Sequence, residues 1–460
     1  MHVPPSIFRE YDIRGVAERD LGDDLVYALG LALATMLPAG PKRRVALARD
    51  CRLSSERLHS AIVRGLVEGG AHVIDVGVGP TPMLYFAVHH TDVDGGVMIT
   101  GSHNPAEENG FKMMRGRASF FGADIQALRA KIESGDLPRT PGGKVEAIDV
   151  RDEYVEAVTR GIERPQAGMK IVLDAGNGAG GPLGLACLRK IGLEPDALFC
   201  EMDGLFPNHH PDPTVPKNLD ALIARVRETG ARVGLAYDGD ADRLGAVDAS
   251  GEIVWGDKLM ILFSRAVLEK NAGAAILGEV KCSQTLYDDI AKHGGRPIMW
   301  KTGHSLIKTK MKEEHALLAG EMSGHLFFAD RYFGYDDAIY ASLRLIELLS
   351  ASGKTMSELL ADVPKTVSTP ELRVDCPDDL KFDLVAAVTA AFRARGNDVI
   401  DTDGARIAFG NGAWGLVRAS NTGPVLVMRF EARDGAELVR VRTDVEEVVA
   451  TERAKLGRRA

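Results

Sequence analysis

The hexapeptide Thr100-Gly101-Ser102-His103-Asn104-Pro105 presents a serine hydroxyl on a turn, directly after the apolar run Gly95-Gly96-Val97-Met98-Ile99. Such a run predicts a short buried strand, so Ser102 stands where a strand ends and faces a cleft. A serine hydroxyl is a weak nucleophile unaided. Once phosphorylated it can donate that group, provided a metal and nearby cations neutralise the charge growing on the oxygens. His103 and Lys112 are the neighbours expected to supply part of that cationic lining. Taken alone the hexapeptide is equally a turn rich in Ser, Asn, Gly and Pro.

Its company decides the matter. Asp238-Gly239-Asp240-Ala241-Asp242-Arg243 follows another apolar run, Val233-Gly234-Leu235-Ala236-Tyr237. Carboxylates at alternate positions leave a strand end close together and repel unless a hard cation joins them. Mg²⁺ held by carboxylates and a phosphate oxygen satisfies that demand, with Ser102 carrying the phosphate against Asp238, Asp240 and Asp242. An EF-hand also opens D-x-D-x-D, but the loop has Arg243 where that motif needs Gly and Ala249 where it needs Glu. A D-x-D at a strand end also suits aspartyl-phosphate chemistry, in which Asp238 itself would be the nucleophile.

Two further loops fit a phosphosugar. Gly320-Glu321-Met322-Ser323-Gly324-His325 ends the run Ala316-Leu317-Leu318-Ala319, and its Glu321 and Ser323 suit adjacent sugar hydroxyls. Glu321 is equally readable as a surface carboxylate and His325 as a buried hydrogen-bonding ring. Arg418-Ala419-Ser420-Asn421-Thr422-Gly423 offers a planar guanidinium fork with Ser420, Asn421, Thr422 and turn N–H groups, a nest for a phosphate.

The ordered set of TGSHNP at 100–105, DGDADR at 238–243, GEMSGH at 320–325 and RASNTGP at 418–424, with Phe8-Arg9-Glu10-Tyr11-Asp12-Ile13-Arg14-Gly15 at the start, resembles the α-D-phosphohexomutase family. Within it the chain is most similar to the bacterial phosphomannomutase/phosphoglucomutase group. The resemblance implies interconversion of hexose 1-phosphate and hexose 6-phosphate, of mannose, glucose or both. It implies a phosphoserine enzyme, Mg²⁺, and a hexose 1,6-bisphosphate that is both intermediate and activator. It places Tyr11, Arg14, Lys281 and His304 near the substrate, with Lys281 and His304 as cations, and has Lys281 or Arg243 assist proton transfer. The third loop would contact the 3- and 4-hydroxyls, shared by glucose and mannose. Glucosamine-type mutases tend to carry Gln at the position of Met322, which weakens but leaves open a phosphoglucosamine mutase.

Gly176-Asn177-Gly178-Ala179-Gly180-Gly181 satisfies G-x-G-x-x-G after a strand, and Glu201 stands where a ribose-binding acid belongs, so a dinucleotide-dependent oxidoreductase is a rival. Asp174 beside the proposed pyrophosphate loop argues against it, and the other motifs stay unexplained. These glycines read instead as a tight strand-to-helix turn. A catalytically inactive hexose-phosphate-binding protein is the other rival; it would have lost Ser102 or a metal aspartate, and all four are present.

The elements that must position these loops repeat. Arg44–Asp50, Lys170–Asp174 and Ala274–Val280 are apolar strands ending in charged turns, each followed by a helical pattern and a second strand at His72–Val76, Pro195–Phe199 and Arg296–Trp300. Repetition about every hundred residues predicts three similar α/β domains with mixed sheets around a central cleft. The last ninety or so residues read as helix, strands and helix, a smaller α+β domain. Breaks at Ser134–Pro138, near Ala249–Gly251 and from Val363 to Pro370 give domains at 1–149 (phosphoserine loop), 150–251 (metal), 252–365 (sugar) and 366–460 (phosphate). The Pro-rich stretch from Pro207 to Pro216 reads as a surface excursion.

With 460 residues, 45% apolar and 26% charged, the chain is expected to be a soluble multidomain protein. A net charge of −9 argues against nucleic acid or an acidic membrane as partner, so an anionic substrate must be caught by a local basic cleft. Five scattered cysteines without C-x-x-C spacing suggest neither zinc nor disulfides. With no leader-like apolar core near the start, and Leu25–Leu37 too short to span a bilayer, a cytoplasmic protein is expected. Its partners are small hexose phosphates, with no nucleic acid and no membrane, and the expected state is a monomer or weak homodimer.

Overall fold

The computed structural model describes residues 3–37, 43–421 and 423–457. Three successive units share one plan. In the first, Arg44–Arg49 pairs in parallel with His72–Val78 and with Gly95–Ile99, and Gly95–Ile99 then pairs antiparallel with Glu108–Arg115. In the second, Ile171–Asp174 pairs in parallel with Asp196–Leu198 and Val233–Tyr237, the latter antiparallel with Leu244–Asp248. In the third, Ala275–Glu279 pairs in parallel with Arg296–Trp300 and Leu318–Gly320, the latter antiparallel with Leu326–Phe328. The parallel strands are buried over whole runs, such as Gly95–Ile99, Val233–Tyr237 and Ala275–Glu279, as sheets covered on both faces require.

This plan positions the chemistry. Residues 100–107, 238–243 and 321–325 are in each case the link between the last parallel strand and its antiparallel partner. Repetition of the fold therefore delivers three different loops to equivalent places.

The fourth unit is antiparallel, in the order Val367–Ser368, Val425–Ala432, Trp414–Ala419, Ala405–Ala408, Val399–Ile400, with Leu372–Asp375 also against Val425–Ala432. Two strands thus precede its first helix, Asp378–Ala394, where the sequence suggested the helix came first. Both are short edge strands with mostly exposed side chains, parted by Pro370, so they carry no apolar run to reveal them.

The first three units share a continuous apolar core reaching from Ala46 to Val363. The fourth has its own core, and Val280, Trp414 and Leu416, with Met299, make a small apolar patch with the third. Polar contacts join the two units beside it. Arg406 Nη1 donates to the carbonyls of Val280 (2.5 Å) and Cys282 (2.9 Å), Arg429 Nη1 donates to that of Lys281 (2.6 Å), and Glu431 Oε1 accepts from Ser283 Oγ (3.0 Å) and Trp414 Nε1 (2.9 Å). An interface of this kind separates more readily than a shared core. Among the described residues no helix is long and apolar enough to cross a membrane.

Candidate active site

Ser102 is buried and has φ of 50°, the left-handed region, which costs a non-glycine residue about 1–2 kcal/mol. Local hydrogen bonds hold it there: Ser102 N–H donates to Thr100 Oγ1 (2.8 Å) and Asn104 N–H to the Gly101 carbonyl (2.9 Å). The hydroxyl lies 3.1 Å from His103 Nδ1 and donates to Asp238 Oδ2 at 3.0 Å. The first two loops therefore meet at the proposed nucleophile. Gly239 makes this approach possible, since a Cβ there would lie 2.3 Å from the Ser102 carbonyl oxygen. Burial, with Arg243 and Arg14 nearby, pushes the His103 pKa well below the usual histidine range, which favours a hydrogen-bonding ring over a cation.

Asp238, Asp240 and Asp242 are fully buried, with an oxygen of each within 4.8 Å of the others. The turn that folds them together has Ala241 at φ 55°. Asp240 Oδ2 accepts from Thr81 Oγ1 (2.5 Å) and Lys112 Nζ (2.7 Å), and Asp242 Oδ2 accepts from the same ammonium (2.5 Å). Lys112 thus sits among the aspartates. Its burial would discharge it, but Asp240 and Asp242 outweigh that and raise its pKa. Asp238 is pushed well up by burial and then by its two neighbours. Asp242 is held below the usual carboxylate range: burial opposes this, and Lys112 and His325 prevail. Asp240 Oδ1 and Asp242 Oδ1 are buried with no hydrogen-bond partner among the described residues. Buried carboxylate oxygens left unpaired are costly, and their hard-donor chemistry fits Mg²⁺.

The glycine-rich turn proves to be the support of this loop. Ala179 N–H donates to the Gly239 carbonyl (2.9 Å), and a Cβ on Gly178 would stand 2.7 Å from that oxygen. Asp174, the acid beside it, faces His209 Nε2 at 3.0 Å. The Pro-rich stretch is a surface excursion at its ends, where Pro207, Asn208, Val215 and Pro216 are exposed, but its middle turns inward. Pro211 and Pro213 are buried, and Cβ atoms on Gly239 and Gly245 would meet their rings at 3.4 Å and 2.7 Å. Rings without N–H donors can pack against backbone in this way, which a reading of prolines as loop formers misses.

The third loop is bonded to the second: Leu244 N–H donates to the Gly324 carbonyl (3.0 Å) and Arg243 Nε to His325 Nε2 (3.0 Å). His325 Nδ1 lies 3.1 Å from Asp336 Oδ2, and Lys308 Nζ donates to Asp336 Oδ1 at 3.1 Å. Asp242, His325 and Asp336 also converge closely, but the aspartate triad offers three hard carboxylate donors and includes Asp238, which meets Ser102, so it is the better Mg²⁺ site. Glu321 is buried, accepting from Gly303 N–H (2.8 Å) and Ser323 Oγ (3.0 Å). His304 stacks on His325 with ring centres 5.7 Å apart, and burial, then Lys308, holds its pKa well below the histidine range.

Lys281 Nζ pairs with Glu371 Oε2 at 3.2 Å across the interface with the fourth unit, and though burial lowers its pKa, Glu279 and Glu371 raise it more. Lys281, with Arg373, holds Glu371 down at about 2 despite burial. A carboxylate depressed on folding adds stability above its unfolded value, and loses it as pH falls through the folded one. Glu371→Gln should accordingly lower the urea-unfolding free energy by on the order of 2 kcal/mol at neutral pH, the gap narrowing between about pH 4.5 and pH 2. A gap independent of pH would show that the ion pair is not its source.

In the fourth unit Arg418 Nε donates to Asp403 Oδ2 (3.0 Å), which also accepts from Thr302 N–H (3.0 Å). Tyr11 OH donates to the Thr302 carbonyl (2.9 Å) and accepts from Asn421 Nδ2 (3.0 Å), so the first, third and fourth units meet here. Lys381 Nζ donates to the carbonyls of Ser420 (2.6 Å) and Gly423 (3.0 Å), shaping the loop; Thr422 lies outside the described residues. Arg14 Nη1 donates to Asn104 Oδ1 (3.0 Å) beside the nucleophile turn. Arg14, Lys112, Arg243, Lys281 and Arg418 are all held at these loops by neighbouring carboxylates, which raise the pKa of each against burial. Thr81, Lys308, Asp336, Lys381 and Asp403 were not anticipated. Asp336-Asp337 before an apolar helix signals a helix start, and Asp337 does cap Ala338–Ser352, but nothing local marks Asp336 as a partner of His325.

Comparison with known proteins agrees with this geometry. Residues 5–139, 152–251 and 255–367 match phosphoglucomutase/phosphomannomutase α/β/α domains I, II and III, and residues 371–448 match the C-terminal domain of the same family. The chain is 46% identical over 440 residues to a Pseudomonas putida phosphomannomutase/phosphoglucomutase, covering 96% of this chain and 94% of the relative. It is 45% identical over 452 residues to a Neisseria meningitidis phosphoglucomutase, covering 97% of each. The crystal structure of a phosphoglucomutase/phosphomannomutase family protein from Burkholderia thailandensis superposes with a TM-score of 0.92 at 41% identity over 98% of each chain. Four matched domains in order, around a buried serine that contacts a buried aspartate triad, make this chain a member of the phosphoglucomutase/phosphomannomutase family of α-D-phosphohexomutases.

Proposed function

We propose that the protein is a phosphomannomutase/phosphoglucomutase, interconverting hexose 1-phosphate and hexose 6-phosphate through a phosphoserine at Ser102 and a hexose 1,6-bisphosphate. The observation that carries this is the Ser102 hydroxyl, held at φ 50° and 3.0 Å from Asp238. The phosphoseryl P–O bond breaks as a new P–O bond forms to the substrate hydroxyl; the bisphosphate turns round and its other phosphate returns to Ser102. Asp238, Asp240 and Asp242 would hold Mg²⁺, whose charge offsets that on the transferring oxygens. Arg14, Lys112 and Arg243 line the same oxygens, while Glu321, Ser323, His304 and Lys281 face the sugar.

For the proton, Arg243 is a poor carrier because a guanidinium does not deprotonate in proteins. His325 suits the task better. Its Nε2 already accepts from Arg243 Nε (3.0 Å), with Asp336 Oδ2 3.1 Å from Nδ1, and the substrate hydroxyl would displace Arg243 as its donor.

We assign the domains as 1–149, 150–251, 252–365 and 366–460, with Arg418, Ser420, Asn421 and Thr422 gripping the phosphate that is not reacting. Arg418→Ala tests the grip. Removing a charged donor costs about 1.5–3 kcal/mol, hence about ten- to a hundredfold in KM, while Ser102 remains able to take up phosphate. Released 1,6-bisphosphate, followed by phosphorus NMR during turnover, should rise in the variant. Wild-type KM and retention would move the grip elsewhere, to Arg14 and Lys281.

A further inference from the structure

Arg52 is fully buried on the loop after Arg44–Arg49 and touches no group assigned to substrate or metal. Its guanidinium is committed instead to backbone. Nη2 donates to the carbonyls of Ser102 (2.7 Å) and Asn104 (2.6 Å), and Nη1 to those of Glu108 (2.9 Å) and Pro105. Nε pairs with Asp50 Oδ2 at 3.1 Å. Asp50 is itself saturated, accepting from Arg52 N–H (3.0 Å), Ser55 Oγ (2.6 Å) and Gly101 N–H (3.2 Å). The carbonyls that Arg52 gathers belong to the turn that carries Ser102 and to Glu108, the first residue of the strand after it. Gly101 has no room for a side chain for the same reason: a Cβ would lie 2.6 Å from Arg52 Nε and Cζ.

The other face of this loop meets the unit that bears the aspartates. The guanidinium carbon stands 5.0 Å from the centre of the Phe206 ring, and Cys51 Sγ donates to the Asn177 carbonyl at 3.5 Å. Asn177 belongs to the glycine-rich turn that supports Gly239. Residues 50–54 therefore lie between the backbone supports of the nucleophile and of the metal loop, two segments that different units must bring into register.

We propose that Arg52 is a positioning residue for the phosphoryl-carrying serine: by gathering the carbonyls of residues 102–108 it holds Ser102 in the left-handed conformation that aims Oγ at Asp238, and through Phe206 it ties this turn to the metal-bearing unit. The inference rests on Ser102 as the phosphoryl carrier. A planar fork of donors can reach carbonyls on several sides at once, whereas an ammonium at the same place keeps the charge beside Asp50 and loses the fork.

Arg52→Lys is compared with wild type for kcat, KM and the rate at which Ser102 gains phosphate from hexose 1,6-bisphosphate, read by intact-protein mass spectrometry. Misplacing the nucleophile should lower kcat and the phosphorylation rate together by about a hundredfold. KM should stay within about threefold, because the phosphate grip is untouched. Val439→Ala, at an exposed site on the last helix, should leave all three unchanged. If Arg52→Lys does not fold, Gly101→Ala, which displaces the guanidinium from the other side, is read on the same measurements. No phosphate on wild-type Ser102 would defeat the underlying reading. Phosphorylated wild type with an unimpaired Arg52→Lys would defeat this inference alone, as would a loss of kcat accompanied by a tenfold or larger rise in KM, the mark of a general structural support.

Discussion

Ser102→Ala lowers turnover by at least about a thousandfold, because the phosphoryl group then has no covalent carrier and a single direct transfer must replace two easier ones. The size of the effect follows from the geometry. The hydroxyl is buried, strained at φ 50° and bonded to Asp238 and His103, an arrangement that serves no packing purpose. Removing the oxygen deletes two hydrogen bonds and little volume, so the variant should fold and bind substrate through the intact Arg418 loop. Intact-protein mass spectrometry after bisphosphate treatment should find one phosphate on the wild type and none on the variant. Near-normal turnover would instead make Asp238 the covalent carrier, and the serine an accessory to it.

Asp240→Asn is the second large effect. Asp240 Oδ2 is engaged by Thr81 and Lys112, while Oδ1 has no hydrogen-bond partner among the described residues. An amide keeps the shape and an acceptor for Thr81 but gives up one of the charges that offset a divalent cation. Mg²⁺ affinity measured by calorimetry and turnover should therefore fall together, turnover by about a hundredfold or more, as for loss of one group stabilising transition-state charge. Exhaustive chelation of the wild type should stop catalysis, and Mg²⁺ should restore it. Full activity after chelation would mean that Lys112, already among the aspartates, supplies the positive charge by itself.

The four loops were legible because each is a contiguous peptide whose chemistry is written within a few residues: a serine on a turn, aspartates at alternate positions, Glu321 with Ser323, an arginine at a polar loop. The threefold repeat was legible for a similar reason, since buried parallel strands are apolar throughout and recur at regular spacing. That the serine would lie against Asp238, 136 residues away, was expected from the chemistry of a metal shared by carboxylates and a seryl phosphate and from the resemblance, with nothing in the spacing between the two loops to show it.

What tertiary structure alone decided is protonation, partnership and support. His103 and His304 look like cations in sequence, but desolvation pushes both well below the usual histidine range, and desolvation depends on every chain segment that covers them. The same penalty is offset for Lys112 by Asp240 and Asp242, far off in sequence, and for Lys281 by its neighbour Glu279 and then by Glu371 across the fold. Asp336 beside His325, Thr81 beside Asp240, Asp403 beside Arg418 and Arg52 beneath Ser102 bear no local mark, since a side chain's partner across the fold is set by which strands align and not by its neighbours in sequence. Sequence spacing records what one turn or strand end can present. Which charges survive burial, and which backbone holds a strained nucleophile in place, is fixed by distances in space that only the packed units determine.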